Sequence, residues 1–386
     1  AFATGADAER RVREAPAAVL ARLQSPGGRP SGVLYDAVAD ERTAGVLLDA
    51  IEGRRRFRGA HGELTASPTR QFRELRGPAG TTLAAVGTST EQSNSSVVLG
   101  DRLILKVFRL LEQGVNPDLE VTRFLTDRAF PNVAAVAGWI AYRGPRREPA
   151  AVAILSEFVP NEGDLWTYAL DRVDDYLDRA AAASERPLPA DTSVRGLLGA
   201  AATDPPPLAQ ALMGTFLDTA WLLGRRTGEL HRALAADGDD PAFAPEPFSP
   251  MDQRSLYQSL RNAARQSFLG LGRLAARLPE DVRESVERIV ASDAAVEARY
   301  RSLLETRLAA KRIRIHGDYH AGQVLWTGRD VLIIDFEGEP ARPLTDRRRK
   351  RSALVDVAGM IRSFHYAAHG SLVEATGAGR ARPGDP

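Results

Sequence analysis

The chain has 386 residues, 44% hydrophobic and 26% charged, enough apolar mass for two cores of ordinary globular type. A formal net charge of +1 excludes a global field that would gather nucleic acid or an anionic membrane surface. Without cysteine there is no disulfide or cysteine-ligated metal, and without a long apolar run or a leader-like start the expected compartment is the cytoplasm.

Residues 6–24 read as an amphipathic Arg- and Ala-rich helix ended by a Ser-Pro-Gly-Gly turn. Residues 40–54 read as a second helix, with Val46, Leu47, Leu48 and Ile51 on one stripe. Residues 55–77 are polar and read as irregular. From residue 81 short β-type runs follow at 81–86, 95–99, 103–108, 133–143 and 150–158, with turn residues between them as in antiparallel hairpins. A helix opened by Pro117 is expected over 116–128. Beyond Pro160 the pattern is mainly helical: 163–183, 207–235, 254–278, 280–309 and 352–369, with a loop over 184–206 and short strands returning over 311–340.

Of 51 basic residues only three are lysines, and one of them, Lys106, lies inside the apolar run Leu103-Ile104-Leu105-Lys106-Val107-Phe108. A half-buried ammonium needs a partner, because burial without one costs several kcal/mol. Glu120 on the next helix is the expected partner. Ser93, Asn94 and Ser95, in the polar stretch before the Lys106 strand, read as a turn that covers phosphates through backbone N–H groups and hydroxyls. Residues Glu157 and Val159 read as a hinge offering backbone groups to an adenine edge.

The densest signal is Arg314-Ile315-His316-Gly317-Asp318-Tyr319-His320-Ala321-Gly322-Gln323, followed by Ile334-Asp335-Phe336-Glu337. An aspartate, an amide five residues on, and a second aspartate after an apolar strand have the spacing of a kinase catalytic loop and its metal-binding D-F-G. In that reading Asp318 orients a substrate hydroxyl and accepts its proton, while Gln323 and Asp335 hold Mg²⁺ on ATP. A zinc site from His316, Asp318 and His320 leaves Gln323 and Asp335 unexplained. The basic run 347–351 reads as a solvated face, not a nucleic-acid site.

The loop His316-Gly317-Asp318-Tyr319-His320 resembles the signature of the aminoglycoside-phosphotransferase superfamily. Within it the chain resembles actinobacterial-type maltokinases, including those fused to trehalose synthase, over segments 91–98, 103–106, 114–120, 157–161, 254–258, 315–324, 335–340 and 356–360. The resemblance implies an α+β, bilobal protein-kinase-like fold with a small antiparallel-sheet N-lobe and a mainly helical C-lobe. It implies a partial N-terminal cap at 1–65, a nucleotide-binding N-lobe at 66–159 and a catalytic, sugar-binding C-lobe at 160–386, in a chain cut at both ends relative to the family.

The activity implied is ATP-dependent phosphorylation of maltose to maltose 1-phosphate, with Mg²⁺, in α-glucan and trehalose metabolism. Asp318 is then the base, Gln323 and Asp335 the metal ligands, Lys106 the phosphate lysine and Glu120 its orienting partner. His316, His320, Glu337 and Glu339 are the expected sugar-facing side chains. Maltose and an associated trehalose synthase are the expected partners, with neither nucleic acid nor membrane. The alternative is a glucosamine kinase or another small-sugar or aminoglycoside kinase of the same fold; a third reading is a catalytically silent binding module.

Overall fold

The computed structural model describes residues 1–25, 28, 30–78, 80–87, 94–183, 191 and 193–380. At the start, β1 (Phe2–Ala3), α1 (Gly5–Glu14), β2 (Val19–Gln24) and β3 (Pro30–Tyr35) form a three-stranded sheet, order β1-β3-β2, beside one helix. The helix expected over 6–24 therefore stops at Glu14. Pro16 restricts Ala15 to non-helical backbone, and the run from Val19 then pairs with β3. Helix α2 (Glu41–Glu52) matches the second expected helix, with the Asp40 side chain accepting from Arg42 N as its N-cap. Leu48 and Ile51 are buried, whereas Val46 is exposed.

The main sheet has seven antiparallel strands in the order β4-β5-β9-β10-β8-β7-β6. They are β4 (Arg56–Gly59), β5 (Gly62–Pro68), β6 (Ala85–Gly87), β7 (Asn94–Leu99), β8 (Leu103–Phe108), β9 (Val136–Arg143) and β10 (Ala150–Glu157), with α3 (Phe72–Arg76) after β5 and α4 (Pro117–Asp127) after β8. Strands β4 and β5 lie in the stretch read as irregular. Their arginines sit on an exposed edge, and pairing of β5 with β9 supplies the order that local composition conceals.

Alternation along β8 sorts the two faces of this sheet. Leu103 and Leu105 join Ile51, Phe72, Leu99 and Leu155 in the main core under α2. Ile104, Lys106 and Phe108 point to the other face, where Phe108 packs with Val136, Ile154 and Leu119 of α4.

Two compact units divide the chain: residues 1–233, 316–349 and 354–386 in one, 234–315 and 350–353 in the other. The helices of the first continue as α5 (Leu165–Ala182), α6 (Val194–Ala201), α7 (Pro207–Met213) and α8 (Phe216–Leu234), whose last residue falls in the second unit. The expected 207–235 helix is thus two, parted at Gly214, whose φ of 55° suits glycine and ends α7. Helix α6 falls within the stretch read as a loop.

In the second unit, β11 (Glu246–Pro247) pairs with β12 (Lys311–Arg312), and α9 (Pro250–Ala275), α10 (Glu280–Ala291) and α11 (Asp293–Glu305) pack together. Ser249 and Asp252 form a reciprocal capping box at the start of α9. The first unit is completed by the hairpin β13 (Val324–Trp326) and β14 (Val331–Ile333), by α12 (Leu344–Arg347) and by α13 (Leu354–Gly377). Among the described residues no helix is long and apolar enough to cross a membrane.

Candidate active site

A cleft of about 560 Å³ opens on the Lys106 face of the large sheet. Val98, Ile104, Ile154, Leu325 and Leu332 wall it, Glu157 to Val159 border one side, and Lys106, Asp118 and Asp335 line it elsewhere. Because Leu103 pairs with Glu157 and Lys106 with Ile154, the expected hinge residue Glu157 and the lysine stand three strand residues apart, roughly 10 Å.

Lys106 gathers three carboxylates. Its Nζ lies 3.0 Å from Asp118 Oδ2, 2.6 Å from Asp335 Oδ1 and 2.6 Å from Glu337 Oε1. Burial alone would discharge the ammonium, but Asp118, Asp335 and Glu337 outweigh it and hold its pKa well above the ordinary lysine value. Burial also opposes the charge on Asp335, yet Lys106 keeps that carboxyl below its usual range. For Glu337 the balance goes the other way: burial, with Asp335 nearby, raises its pKa despite Lys106.

The expected Lys106–Glu120 pair is not formed. Asp118 takes that place, while Glu120 accepts from Arg348 Nε at 3.0 Å and Nη2 at 2.6 Å. The reason is helical geometry: residues two apart project about 200° apart around the axis, so Asp118 and Glu120 cannot serve one target. Asn116 caps α4 by accepting from Leu119 N, and Asp118 follows in the first turn. Asp118 also accepts from Phe336 N at 3.1 Å and Thr122 Oγ1 at 3.3 Å, tying α4 to the segment after β14.

Asp335 has φ 64°, a left-handed conformation that non-glycine residues seldom adopt. Its surroundings over-determine it: Ile334 N donates to Gln323 O, Phe336 N to Asp118, and the carboxylate is held by Lys106 and by Gln323 Nε2 at 2.8 Å. Gln323 thus meets Asp335, as their spacing predicts. Asp118, Asp335 and Glu337 each offer an oxygen within 4.8 Å of the others. With the Gln323 amide beside them, this is a hard-oxygen set with more negative charge than Lys106 neutralises, and it fits a small divalent cation.

Asp318 stands on the loop before the short 3₁₀ turn 321–323, half-buried. Burial first, and then Glu339, raise its pKa. The loop is anchored from beneath. Asp356 of α13, 1% exposed, accepts from His316 N at 2.9 Å, Gly317 N at 3.0 Å and His231 Nε2 at 2.8 Å. Burial works against the Asp356 charge, but the His231 bond, His316 and the Gly317 amide hold its pKa down. Ala321 N donates to Ser363 Oγ, a second tether to α13.

His316 does not face a substrate. It is 1% exposed, its Nε2 donates to Ile334 O at 2.9 Å, and its ring packs on Phe336 and Tyr319. The imidazole therefore joins the Asp318 loop to the Asp335 turn. His320 is partly exposed, and its Nδ1 accepts from Gly322 N at 3.2 Å, capping the 3₁₀ turn. Glu339 is exposed, whereas Glu337 turns inward to Lys106 and to Asn94 Nδ2 at 2.9 Å.

Asn94 and Ser95 are strand residues of β7, not turn residues. Ser95 accepts from Arg109 Nε at 2.8 Å, and alternation leaves Ser96 facing the cleft. Ser93 lies outside the described residues.

The basic run is only in part a solvated face: Arg349 is exposed, whereas its neighbours are half-buried and paired. Arg347 is buried against Glu112, Arg348 pairs with Glu120, Arg349 with Asp346, and Lys350 with Glu246 at 2.9 Å. Asp118, which meets Lys106, and Asp356, which holds the Asp318 loop, have no assigned role in the sequence reading. Both were visible only as acids at helix starts, a signal shared with ordinary capping.

Comparison with known proteins follows the same line. No protein-family model matches the chain. It is 26% identical over 281 residues to a glucosamine kinase of Mycolicibacterium smegmatis, covering 72% of this chain and 58% of that relative. It is 27% identical over 376 residues to a glucosamine kinase of Streptacidiphilus jiangxiensis, covering 93% of this chain and 75% of the relative. A solved glucosamine kinase in complex with glucosamine, ADP and inorganic phosphate superposes with a TM-score of 0.55 at 20% identity, over 92% of this chain and 76% of that one. The fold is therefore shared with the solved kinase, and the chain spans 58% of the length of the first relative.

Proposed function

We propose that the protein is an ATP-dependent kinase of a small sugar, with glucosamine as the acceptor. The observation that carries this reading is the cluster in which Lys106 meets Asp118 and Asp335, with Gln323 on Asp335, in one cleft behind the loop of Asp318. The names of the curated relatives and the glucosamine and ADP in the solved kinase support the substrates.

In this mechanism the base of ATP sits against Ile104, Ile154 and Leu325, with the backbone of Glu157 to Val159 along its edge. Lys106 moves from carboxylates to phosphate oxygens. Asp335 and Gln323, with Glu337 or Asp118 nearby, are the side chains that would hold Mg²⁺. When bound, that ion neutralises charge on the transferred phosphoryl group. Asp318 accepts a hydrogen bond from the acceptor hydroxyl and aims its oxygen at the γ-phosphorus. A bond from sugar oxygen to phosphorus forms, the bond from phosphorus to the β,γ-bridging oxygen breaks, ADP leaves, and the hydroxyl proton passes to Asp318. Its raised pKa suits a group that must take up that proton.

A second reading keeps the same chemistry with maltose as acceptor, on the likeness of 335–340 and 356–360 to maltokinases; an associated trehalose synthase belongs to that reading alone. ADP release measured with glucosamine, maltose and an aminoglycoside decides among them. Turnover with glucosamine at least tenfold above the others supports the proposal, and preference for maltose installs the second reading. No sugar-dependent ADP release from protein that binds ATP overturns both.

A further inference from the structure

Two of the chain's six histidines, His365 and His369, meet on the surface of α13, and nothing in the kinase reading employs them. They stand four residues apart, one above the other on one helix face, and both are exposed. Their Nε2 atoms are 3.0 Å apart, with ring centroids at 4.2 Å and an interplanar angle of 62°. We propose that His365 and His369 form a bidentate binding site for a borderline transition-metal dication such as Ni²⁺, Cu²⁺ or Zn²⁺.

The spacing carries the inference. Two imidazole nitrogens bound to one ion at about 2.05 Å lie about 2.9 Å apart for a right-angled pair and about 3.3 Å apart for a tetrahedral one. The observed separation falls between those values. In this contact one Nε2 donates its proton to the lone pair of the other, so loss of that proton leaves two nitrogen donors side by side. On binding, that proton leaves to solvent and the ion sits to one side of the line between the nitrogens, each ring turning to aim its Nε2 lone pair at it.

The helix beneath is held firmly, which keeps the two Cα–Cβ bonds on one face a turn apart. Ser363, Ala367 and Ser371 on the opposite side of the same turns are buried, and Phe364 packs edge-on against Phe216. Among the described residues the only group of three or more ligand-type side chains that converge is Asp118, Asp335 and Glu337. The histidine site therefore supplies two protein ligands and leaves the other positions to water. Imidazole donors favour Cu²⁺ over Ni²⁺ and Zn²⁺ and discriminate against Mg²⁺, whereas the hard oxygens of the carboxylate cluster accept Mg²⁺. The two sites separate by metal type as well as place.

Calorimetric titration of the full chain with Ni²⁺ in the presence of excess Mg²⁺ tests this directly. The expected result is saturable binding that His365→Ala and His369→Ala each weaken at least tenfold and that His61→Ala, a surface histidine elsewhere, leaves unchanged. Circular dichroism checks that each variant keeps its helix content. Thermal melting supplies a second readout: Ni²⁺ should raise the melting temperature of the parent but not of either alanine variant, because the ion clamps one helical turn. Binding that persists in both variants, that Mg²⁺ displaces, or that is absent from the parent overturns the site.

Discussion

Asp318 and Asp335 stand on one continuous segment, yet the structure treats them in opposite ways. Asp335 is locked: a left-handed backbone, a lysine at 2.6 Å, an amide at 2.8 Å and a pKa held below the ordinary range. Asp318 stands half-buried and feels Glu339, so its pKa moves up although His320 and His316 favour its charge. A carboxylate that must stay ionised to hold a cation needs the first environment. One that must exchange a proton with a substrate needs the second. Two carboxyls separated in this way are the physical support for the proposal that one serves charge neutralisation and the other proton transfer.

The sharpest way to break that contrast is to remove each acid in turn. Asp318→Asn should lower turnover by about 10²–10⁴-fold while nucleotide affinity, measured by calorimetry, changes little. Asp335→Asn should abolish turnover and weaken Mg-nucleotide binding as well. If both variants lose nucleotide affinity equally, the division of labour is wrong.

The next effect concerns the lysine between the acids. Lys106→Met leaves Asp118, Asp335 and Glu337 facing one another without a cation, which should destabilise the fold by about 3 kcal/mol or more in urea titrations. Asp118→Asn should raise the KM for ATP, whereas Glu120→Gln should leave it near the parent value and cost about 1 kcal/mol or less, through the partly exposed Arg348 pair. Equal effects on KM would restore Glu120 as the partner of Lys106.

A smaller effect should come from the anchor under the loop. Asp356 has a depressed folded pKa, so its contribution to stability is full above the ordinary carboxylate value of 3.8 and is lost as pH falls through the folded value. The stability gap between parent and Asp356→Asn should therefore be largest near neutrality and shrink below about pH 4. The variant should also lose turnover more than affinity, since it frees the His316 and Gly317 amides that position Asp318.

The smallest shift is in the pH profile. With its pKa raised, Asp318 should place the acid limb of kcat/KM above 3.8, and Glu339→Gln should move that limb downward by removing a like charge. An unmoved limb in Glu339→Gln would show that burial alone sets the value.

Much of this architecture was legible beforehand, and the exceptions share a cause. Strands β7 to β10 and helix α4 carry their own signals: alternation, turn residues, and a proline at the first helical position after a capping asparagine. Strands β4 and β5 do not, because an Arg-rich edge hairpin gains its order from β9 and not from its own composition. The over-long first helix failed in the same way, since its second half is claimed by β3. His316 is expected from the family resemblance to face the sugar, and only packing against Phe336 and Tyr319 reveals it as a buried strut.

The amino-acid sequence by itself determined which chemistry is available: a lysine inside an apolar strand, an aspartate with an amide five residues later, and a second aspartate after an apolar strand. Those are matters of residue type and spacing within single elements, where local geometry dictates direction. Tertiary structure alone decided that Asp118 and not Glu120 meets Lys106, that Glu337 turns inward, and that Asp356 supports the loop. The first and last depend on how a helix is rotated against elements distant in sequence, and the second on the turn that follows left-handed Asp335. A rotation about the helix axis of about 100° per residue chooses among acids that look equivalent on paper.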